Sequence, residues 1–143
     1  MLNKYPGKDF NEKEFLKGIM RERGITRKEA EKFCRTKIPD EGYFQEKVIS
    51  GLKERFPGAF VRKIHLTAYS QAGFPDVLCI IDGHFFGFEV KRPVVGRATP
   101  IQKKTIEDIQ KAGGSAGVVR WPEEAIDMIE EHKFEQNMLE GII

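Results

Sequence analysis

Two apolar segments separated by Asp82 and Gly83 form the strongest local pattern in the chain. Residues 76–81 are apolar after the first position, and residues 85–90 are rich in aromatic side chains. Aromatic and β-branched residues favour strands, and an Asp-Gly pair between two such segments is typical of a two-residue hairpin turn. The pattern predicts an antiparallel hairpin, so any fold for this chain must contain a sheet built around it.

A two-residue turn also fixes which residues of the hairpin face each other. Counting back from the turn sets Asp76 opposite Glu89 and puts Lys91 on the same face as Glu89. The β-carbons of such a pair lie about 5 Å apart, and like charges at this distance destabilise a sheet. A divalent cation between the two acids would remove the repulsion. Oxygen ligands of this kind favour magnesium or manganese.

Lys91 completes a set of groups that could hydrolyse a phosphodiester. The cation would polarise the phosphate and lower the pKa of a bound water, while Lys91 orients that water or neutralises developing charge. A purely structural interpretation also exists, in which Asp76 caps a turn after Pro75 and Glu89 forms an ion pair with Lys91. We favour the metal site because it explains why two acids should face each other.

The composition is compatible with one domain and an extension. The chain has 143 residues, of which 40% are hydrophobic, a net charge of +2 and a pI near 8.5. This charge is too small to indicate nucleic-acid binding by itself. No apolar run approaches the length of a membrane span, and residues 1–10 lack a secretory signal, so a cytoplasmic protein is expected. Cys34 and Cys79 lack disulfide or zinc-site spacing and are predicted to be core residues.

Turn signals and helical periodicity predict the order helix, helix, helix, strand, hairpin, helix, strand, helix, which is a mixed α/β fold. The predicted helices cover two segments within residues 1–39, then 40–56, 99–112 and 123–132, and the outer strands cover 59–67 and 116–120. Capping pairs mark three helix starts, and apolar residues mark the inward faces. The capping pairs are Asn11 with Glu14, Thr26 with Glu29, and Thr99 with Gln102. The inward residues include Phe44, Val48, Leu52 and Phe56; Ile101, Thr105, Ile109 and Ala112; and Ala125, Ile126 and Ile129. Phe60, Ile64 and Leu66, with basic residues between them, indicate the first strand.

The hairpin residues resemble the PD-(D/E)XK nuclease superfamily. The matching residues are Gly73, Phe74, Pro75 and Asp76, followed after the hairpin by Glu89, Val90 and Lys91. Further matches resemble the VRR-NUC (virus-type replication-repair nuclease) domain, in the small standalone form carried by phages and bacteria. They are Glu46, the basic loop over residues 91–100, Gln102, and Gly113 and Gly114 before the strand 117–120. The resemblance covers about residues 43–120.

The resemblance implies a restriction-endonuclease-like core over residues 40–143, with a helical extension over residues 1–39. It implies that Asp76, Glu89, Glu46 and the Val90 carbonyl bind the metal. Lys91 would act on the attacking water, and Gln102 would support the site. The alternative for Glu46, which we favour less, is an ordinary exposed acid, and Gln102 could equally be an ordinary capping residue.

Four basic residues near the site in sequence could contact phosphates, although a solvated basic face is an equally good interpretation. They are Arg92, Arg97, Lys103 and Lys104. Trp121 and Tyr69 could stack on an unpaired base, but packing is the commoner role of such residues, and His65 and His84 are expected to be structural.

The predicted function is a magnesium- or manganese-dependent DNA endonuclease. A preference for branched, flap or junction DNA in replication or repair follows from the resemblance alone. A homodimer would suit symmetric junctions, because a twofold axis relates two single sites. Two alternatives stay open: a non-catalytic DNA-binding or structural accessory module that keeps the fold, and an RNA-directed or nicking enzyme with the same chemistry.

Overall fold

A computed structural model describes residues 1–65 and 72–142 of the chain. Over these residues the chain forms five helices and one four-stranded sheet. The elements are α1 (Glu12–Arg23), α2 (Arg27–Lys37), α3 (Glu41–Arg55), β1 (Phe60–Lys63), β2 (Val77–Ile81), β3 (His84–Val90), α4 (Pro100–Lys111), β4 (Ser115–Val119) and α5 (Pro122–Ile142). This is the predicted order of elements.

The sheet is mixed, as the sequence predicts. Its strand order is β1-β2-β3-β4; the first two pairs are antiparallel, and β3 runs parallel to β4. A parallel pair needs a crossover connection, and α4 supplies it. The predicted α/β class with a mixed sheet flanked by helices is confirmed.

The hairpin between β2 and β3 has the predicted register. Ile81 pairs with His84, and Val77 pairs with Phe88. The turn residues Asp82 and Gly83 have φ values of 50° and 78°. A two-residue turn of this type requires the left-handed region at both positions, and Asp-Gly tolerates it well. The turn chemistry therefore sets the strand pairing, and the pairing sets which side chains meet at the far end of the hairpin.

Local capping begins three of the helices where the sequence predicts. The Asn11 side chain accepts from the Glu14 amide at the start of α1, and reciprocal capping boxes join Thr26 to Glu29 and Thr99 to Gln102. Capping satisfies amides that would otherwise lack a partner at the first turn. The box at α4 matters for the site, because Gln102 also contacts an acid there.

A single apolar core joins the sheet to the helices. Phe44, Val48 and Leu52 of α3 are fully buried, as predicted, and so are both cysteines, which are free thiols. Residues 1–39 contribute to this same core through five buried side chains. These are Leu16, Ile19, Ala30, Cys34 and Ile38. The helices before α3 are therefore packed against the rest of the chain.

The first strand is shorter than predicted. β1 ends at Lys63, and its inward residue is Val61, whereas Phe60 is 47% exposed. Val61 pairs with the buried Cys79, so the pleat turns Phe60 outward, where the Arg62 guanidinium lies 4.1 Å from the ring centroid. Leu66 and Tyr69, named above, lie outside the described residues.

Two further helix predictions need correction. Ile106 is the buried residue of α4, while Ile101 is 52% exposed and Ala112 is also exposed, because the face carrying Gln102 and Ile106 turns inward. Helix α5 continues well past residue 132 to Ile142. Its last turns project beyond the core. Among the described helices, none combines the length and apolarity needed to cross a bilayer.

Candidate metal centre

The two hairpin acids meet at the end of β2 and β3 that lies away from the turn. Asp76 immediately precedes β2, Glu89 is the penultimate residue of β3, and the pair follows directly on the ladder pair of Val77 and Phe88. The Val90 amide donates to Asp76 Oδ2 at 2.9 Å. This bond across the strands holds the Asp76 carboxylate beside Glu89.

A third acid joins them from helix α3. Glu41, the first residue of α3, offers a carboxylate oxygen to a group with Asp76 and Glu89 whose ligand atoms all lie within 4.8 Å of one another. Three carboxylates at such distances repel strongly unless positive charge lies between them. An oxygen-only set with this spacing fits a hard divalent cation.

Glu89 is the most buried of the three acids, with 1% of its surface exposed. Its Oε1 accepts from Gln102 Nε2 at 2.8 Å and lies 3.3 Å from Lys91 Nζ. Its Oε2 is buried and has no hydrogen-bond partner among the described residues. A buried carboxylate oxygen left unsatisfied is costly, so it calls for a ligand. A bound cation would satisfy it, and the donor set therefore fits such an ion.

The environment makes the ionised form of Glu89 unfavourable when no cation is bound. Burial is the main cause and the Asp76 carboxylate the second; together they raise the pKa of Glu89 to about 8 against the opposing charge of Lys91. Burial also raises the pKa of Glu41, while Lys91 opposes the shift. A cation among these acids would favour their charged forms and release protons on binding.

The raised pKa of Glu89 predicts a pH dependence of stability in the metal-free protein. Since the folded state holds this proton more tightly than the unfolded state, the free energy of unfolding should fall as pH rises from about 4.5 to about 8. Thermal unfolding in a chelator should show this fall. The Glu89→Gln variant should not show this fall in stability, and added Mn²⁺ should reduce the fall in the wild type. Identical pH profiles for wild type and variant would contradict the assignment.

Lys91 lies between two of the acids. Only 9% of the residue is exposed, its Nζ is 3.7 Å from Glu41 Oε2, and its amide donates to Val119 O at 3.0 Å. The strand pairing with β4 thus fixes its backbone, while the acids hold its ammonium group. A buried cation in this position can act on a phosphate or a water beside the metal.

Gln102 contacts both the start of α4 and one of the acids. Its Oε1 accepts from the Thr99 amide at 2.8 Å, and its Nε2 donates to Glu89. The capping box therefore aims the amide nitrogen at the acid. One residue begins α4 and orients a candidate metal ligand.

The structure does not bring Glu46 into the acidic group. Its side chain is 68% exposed and pairs with Lys63 at 3.9 Å. Glu41 occupies the position expected of it, because residues five apart on a helix differ by about 140° in direction. In the structure Glu41 lies four residues before the buried Gln45, whose Nε2 donates to Glu41 Oε1 at 3.4 Å. Only the spacing of the two residues is visible in the sequence.

With this geometry in place, comparison with known proteins becomes informative. A solved structure described as a VRR_NUC domain is 32% identical in sequence and aligns with 63% of this chain and 94% of its own length. This chain belongs to the VRR_NUC family. The assignment rests on the identity and coverage and not on the TM-score of 0.49. No protein-family model matches the chain, and no curated protein does.

The basic residues predicted to contact nucleic acid have different environments in this VRR_NUC chain. Lys103 is exposed, and Lys104 is exposed but pairs with Asp108 at 2.7 Å. Arg97 is exposed, and its Nη1 donates to the carbonyls of Val94 and Gly96. These three side chains can still reach a phosphate.

Arg92 has a different set of partners from those predicted for it. Its guanidinium donates to three main-chain carbonyls at the end of α2 and the start of the next segment. A side chain engaged in this way is a poor phosphate contact. The phosphate contact predicted for Arg92 stays a prediction that these three bonds disfavour, and its role is taken up below.

Three other aromatic and histidine residues have structural roles, as expected. Trp121 is 4% exposed and packs edge-on against Phe44. The His84 ring stacks on His132, and its Nε2 lies 2.9 Å from Ser115 Oγ. Burial, with the charge of His132, lowers the pKa of His84. The two histidine rings lie at the turn end of the hairpin, away from the acids.

Replacing Glu41 and Glu46 of α3 by glutamine, one at a time, shows which of them is the third metal ligand. Glu41→Gln should weaken Mn²⁺ binding by about 10- to 100-fold, because it removes one carboxylate from the group. Glu46→Gln is the matched control on the same helix and should bind Mn²⁺ as the wild type does. Titration calorimetry of both variants measures this. The reverse order would restore Glu46 as the ligand.

Gln102→Ala should lower Mn²⁺-dependent cleavage about 10- to 100-fold, as expected for a residue that orients a metal ligand. Thr99→Ala provides the control, since it removes the same capping box, at a cost of about 1 kcal/mol, but keeps the amide beside Glu89. Comparing cleavage rates and thermal unfolding of the two variants distinguishes the roles. Equal loss of activity in both would mean that only the cap matters.

Proposed function

We propose that this VRR_NUC chain is a magnesium- or manganese-dependent DNA endonuclease. The observation that carries the proposal is Oε2 of buried Glu89, which has no hydrogen-bond partner within residues 1–65 and 72–142 and lies in a group of three acids beside Lys91. A structural ion pair would satisfy both oxygens of the acid. An unsatisfied oxygen among acids is what a bound cation would explain.

Glu41, Asp76 and Glu89 would hold the cation, and the Val90 carbonyl is proposed as a further ligand. When bound, the ion would polarise the phosphodiester and lower the pKa of a coordinated water. Its preference for oxygen ligands and for phosphate oxygens favours magnesium or manganese.

The surrounding residues then act on the reacting groups and on the ligands. Lys91 would orient the attacking water or neutralise charge that develops on the phosphate, because its ammonium is buried where electrostatic interactions are strong. The Val90 amide keeps Asp76 in place, and Gln102 keeps Glu89 in place. Fixed ligands reduce the reorganisation needed during reaction.

DNA would lie across this end of the sheet, with exposed basic side chains contacting phosphates. We assign this role to Arg97, Lys103 and Lys104 and expect binding to weaken steeply with salt.

The proposal has three further parts. The enzyme prefers branched, flap or junction DNA in replication or repair, and it acts as a homodimer with two sites. Residues 40–143 form the nuclease domain, and residues 1–39 form an extension.

A substrate panel tests this function. Labelled duplex, flap and four-way-junction DNA, and matching RNA, are incubated with Mg²⁺, Mn²⁺ or a chelator. We expect metal-dependent cleavage of DNA, fastest on a branched substrate, and none in the chelator. Metal-independent binding without cleavage would favour the non-catalytic accessory module instead. Faster cleavage of RNA than of DNA would identify an RNA-directed enzyme.

A further inference from the structure

The guanidinium of Arg92 binds the carboxyl end of helix α2. Its Nη2 donates to the carbonyls of Arg35 and Ile38 at 2.7 and 2.6 Å, and its Nε donates to the Pro39 carbonyl at 2.9 Å. Carbonyls at a helix end lack partners within the helix and carry partial negative charge. The planar guanidinium with its fixed donors suits three such oxygens, whereas an ammonium group does not.

These bonds are made directly beside two groups of the candidate metal centre. Arg92 follows Lys91 in the chain, and Pro39 lies two residues before Glu41. Lys91 and Glu41 come from distant parts of the sequence, yet their charged atoms lie 3.7 Å apart. The Arg92 contact with Pro39 joins the backbone next to Lys91 to the backbone next to Glu41. This contact therefore constrains the distance between the lysine and the third acid.

The loop after Arg92 is folded tightly back onto the same place. Val94 is 2% exposed and has a φ of 67°, a left-handed conformation that a β-branched residue rarely adopts. A β-carbon at Gly96 would lie 2.6 Å from the Arg92 nitrogen and 3.0 Å from the β-carbon of Lys91. Surrounding contacts must hold such a loop in place.

A second arginine supplies another contact between this loop and the extension. Arg120 Nη2 donates to the Gly96 carbonyl at 3.1 Å, and Arg120 Nε lies 3.0 Å from Glu12 Oε1 of α1 in an ion pair without an aligned hydrogen bond. Helices α1 and α2 are thus each joined to the loop through one arginine.

We propose that Arg92 is a positioning residue through which the helices of residues 1–39 hold Lys91 and Glu41 in register. This rests on the proposed function, since it gives these helices a role in building the metal centre. Arg92 acts through its neighbours and does not contact the substrate. Arg92→Lys distinguishes a positioning role from a phosphate contact. The variant keeps the charge that a phosphate contact needs and loses the planar donors that the three carbonyls need.

The test compares Mn²⁺ affinity, DNA affinity in a chelator, and cleavage for the wild type, Arg92→Lys and Glu41→Gln. Arg92→Lys should weaken Mn²⁺ binding about 10- to 100-fold and slow cleavage, with unchanged DNA affinity and salt dependence. In the Glu41→Gln background it should weaken Mn²⁺ binding much less, because the two residues act as a unit. Arg55→Lys is the control, because it makes the same exchange at an exposed arginine that pairs with Glu130 away from the acids, and it should behave as the wild type.

Each outcome decides between the alternatives. Wild-type Mn²⁺ affinity in Arg92→Lys overturns the inference and leaves the nuclease proposal intact, provided that the wild type cleaves DNA. Additive losses in the double variant also overturn it. If Arg92→Lys does not fold, Arg92→Gln, which keeps a planar amide donor but cannot reach all three carbonyls, decides by the same Mn²⁺ measurement: weakened binding supports the inference and wild-type affinity overturns it. A wild type that neither binds Mn²⁺ nor cleaves DNA contradicts the proposed function, and the inference fails with it.

Discussion

Replacing Glu89 by glutamine should abolish metal-dependent cleavage and at the same time stabilise the metal-free protein. Cleavage should fall by at least about 100- to 1000-fold, because the variant replaces a buried, charged metal ligand by a neutral amide that holds the cation more weakly. Stability above pH 8 should rise by about 1–3 kcal/mol, because the amide removes an unsatisfied buried oxygen. The amide nitrogen can also donate to Asp76.

The combination of the two effects is what makes this variant informative. Cleavage in Mn²⁺ and thermal unfolding in a chelator are measured on the same preparation. Asp76→Asn should lose cleavage similarly, since its remaining oxygen can still accept from the Val90 amide but the charge is gone. Glu89→Gln that cleaves within a few-fold of the wild type would exclude Glu89 as a ligand.

Lys91→Met should lose cleavage by about 100- to 1000-fold while binding Mn²⁺ at least as tightly as the wild type. Methionine matches the length and flexibility of the lysine stem without its charge. Since the ammonium lies 3.3 Å from Glu89 and 3.7 Å from Glu41, it competes electrostatically with a cation for these acids. Removing it should therefore favour the metal but remove the group that acts on water or phosphate.

Single-turnover cleavage and Mn²⁺ titration together measure this separation. Lys63→Met is the matched control, because its ammonium pairs with Glu46, outside the acidic group. It should change neither quantity substantially. Loss of both Mn²⁺ binding and cleavage in Lys91→Met would mean that Lys91 holds the ligands in place and has no chemical role.

The hairpin shows what local sequence rules can predict. An Asp-Gly turn allows essentially one pairing between short apolar strands, so the meeting of Asp76 with Glu89 follows from counting residues. The Thr99 capping box likewise predicts where α4 begins, and hence that Gln102 lies on its first turn. In both cases the determining interactions lie within a few residues along the chain.

Features set by contacts between distant segments were not predictable in the same way. Whether α3 presents Glu41 or Glu46 to the hairpin depends on how the whole helix packs on the sheet. The outward direction of Phe60 depends on which side of the edge strand faces the core. Arg92 resembles a phosphate-binding residue until the end of α2 is placed beside it, because its carbonyl partners are more than 50 residues away.

We propose that Glu41, Asp76 and Glu89 share one divalent cation, and anomalous diffraction from crystals soaked in Mn²⁺ can locate that ion. We expect a strong peak among the three carboxylates, within coordination distance of an oxygen of Glu89 and beside Lys91. A crystal of cleavage-competent protein in which Mn²⁺ binds elsewhere, and these acids point apart, would contradict it.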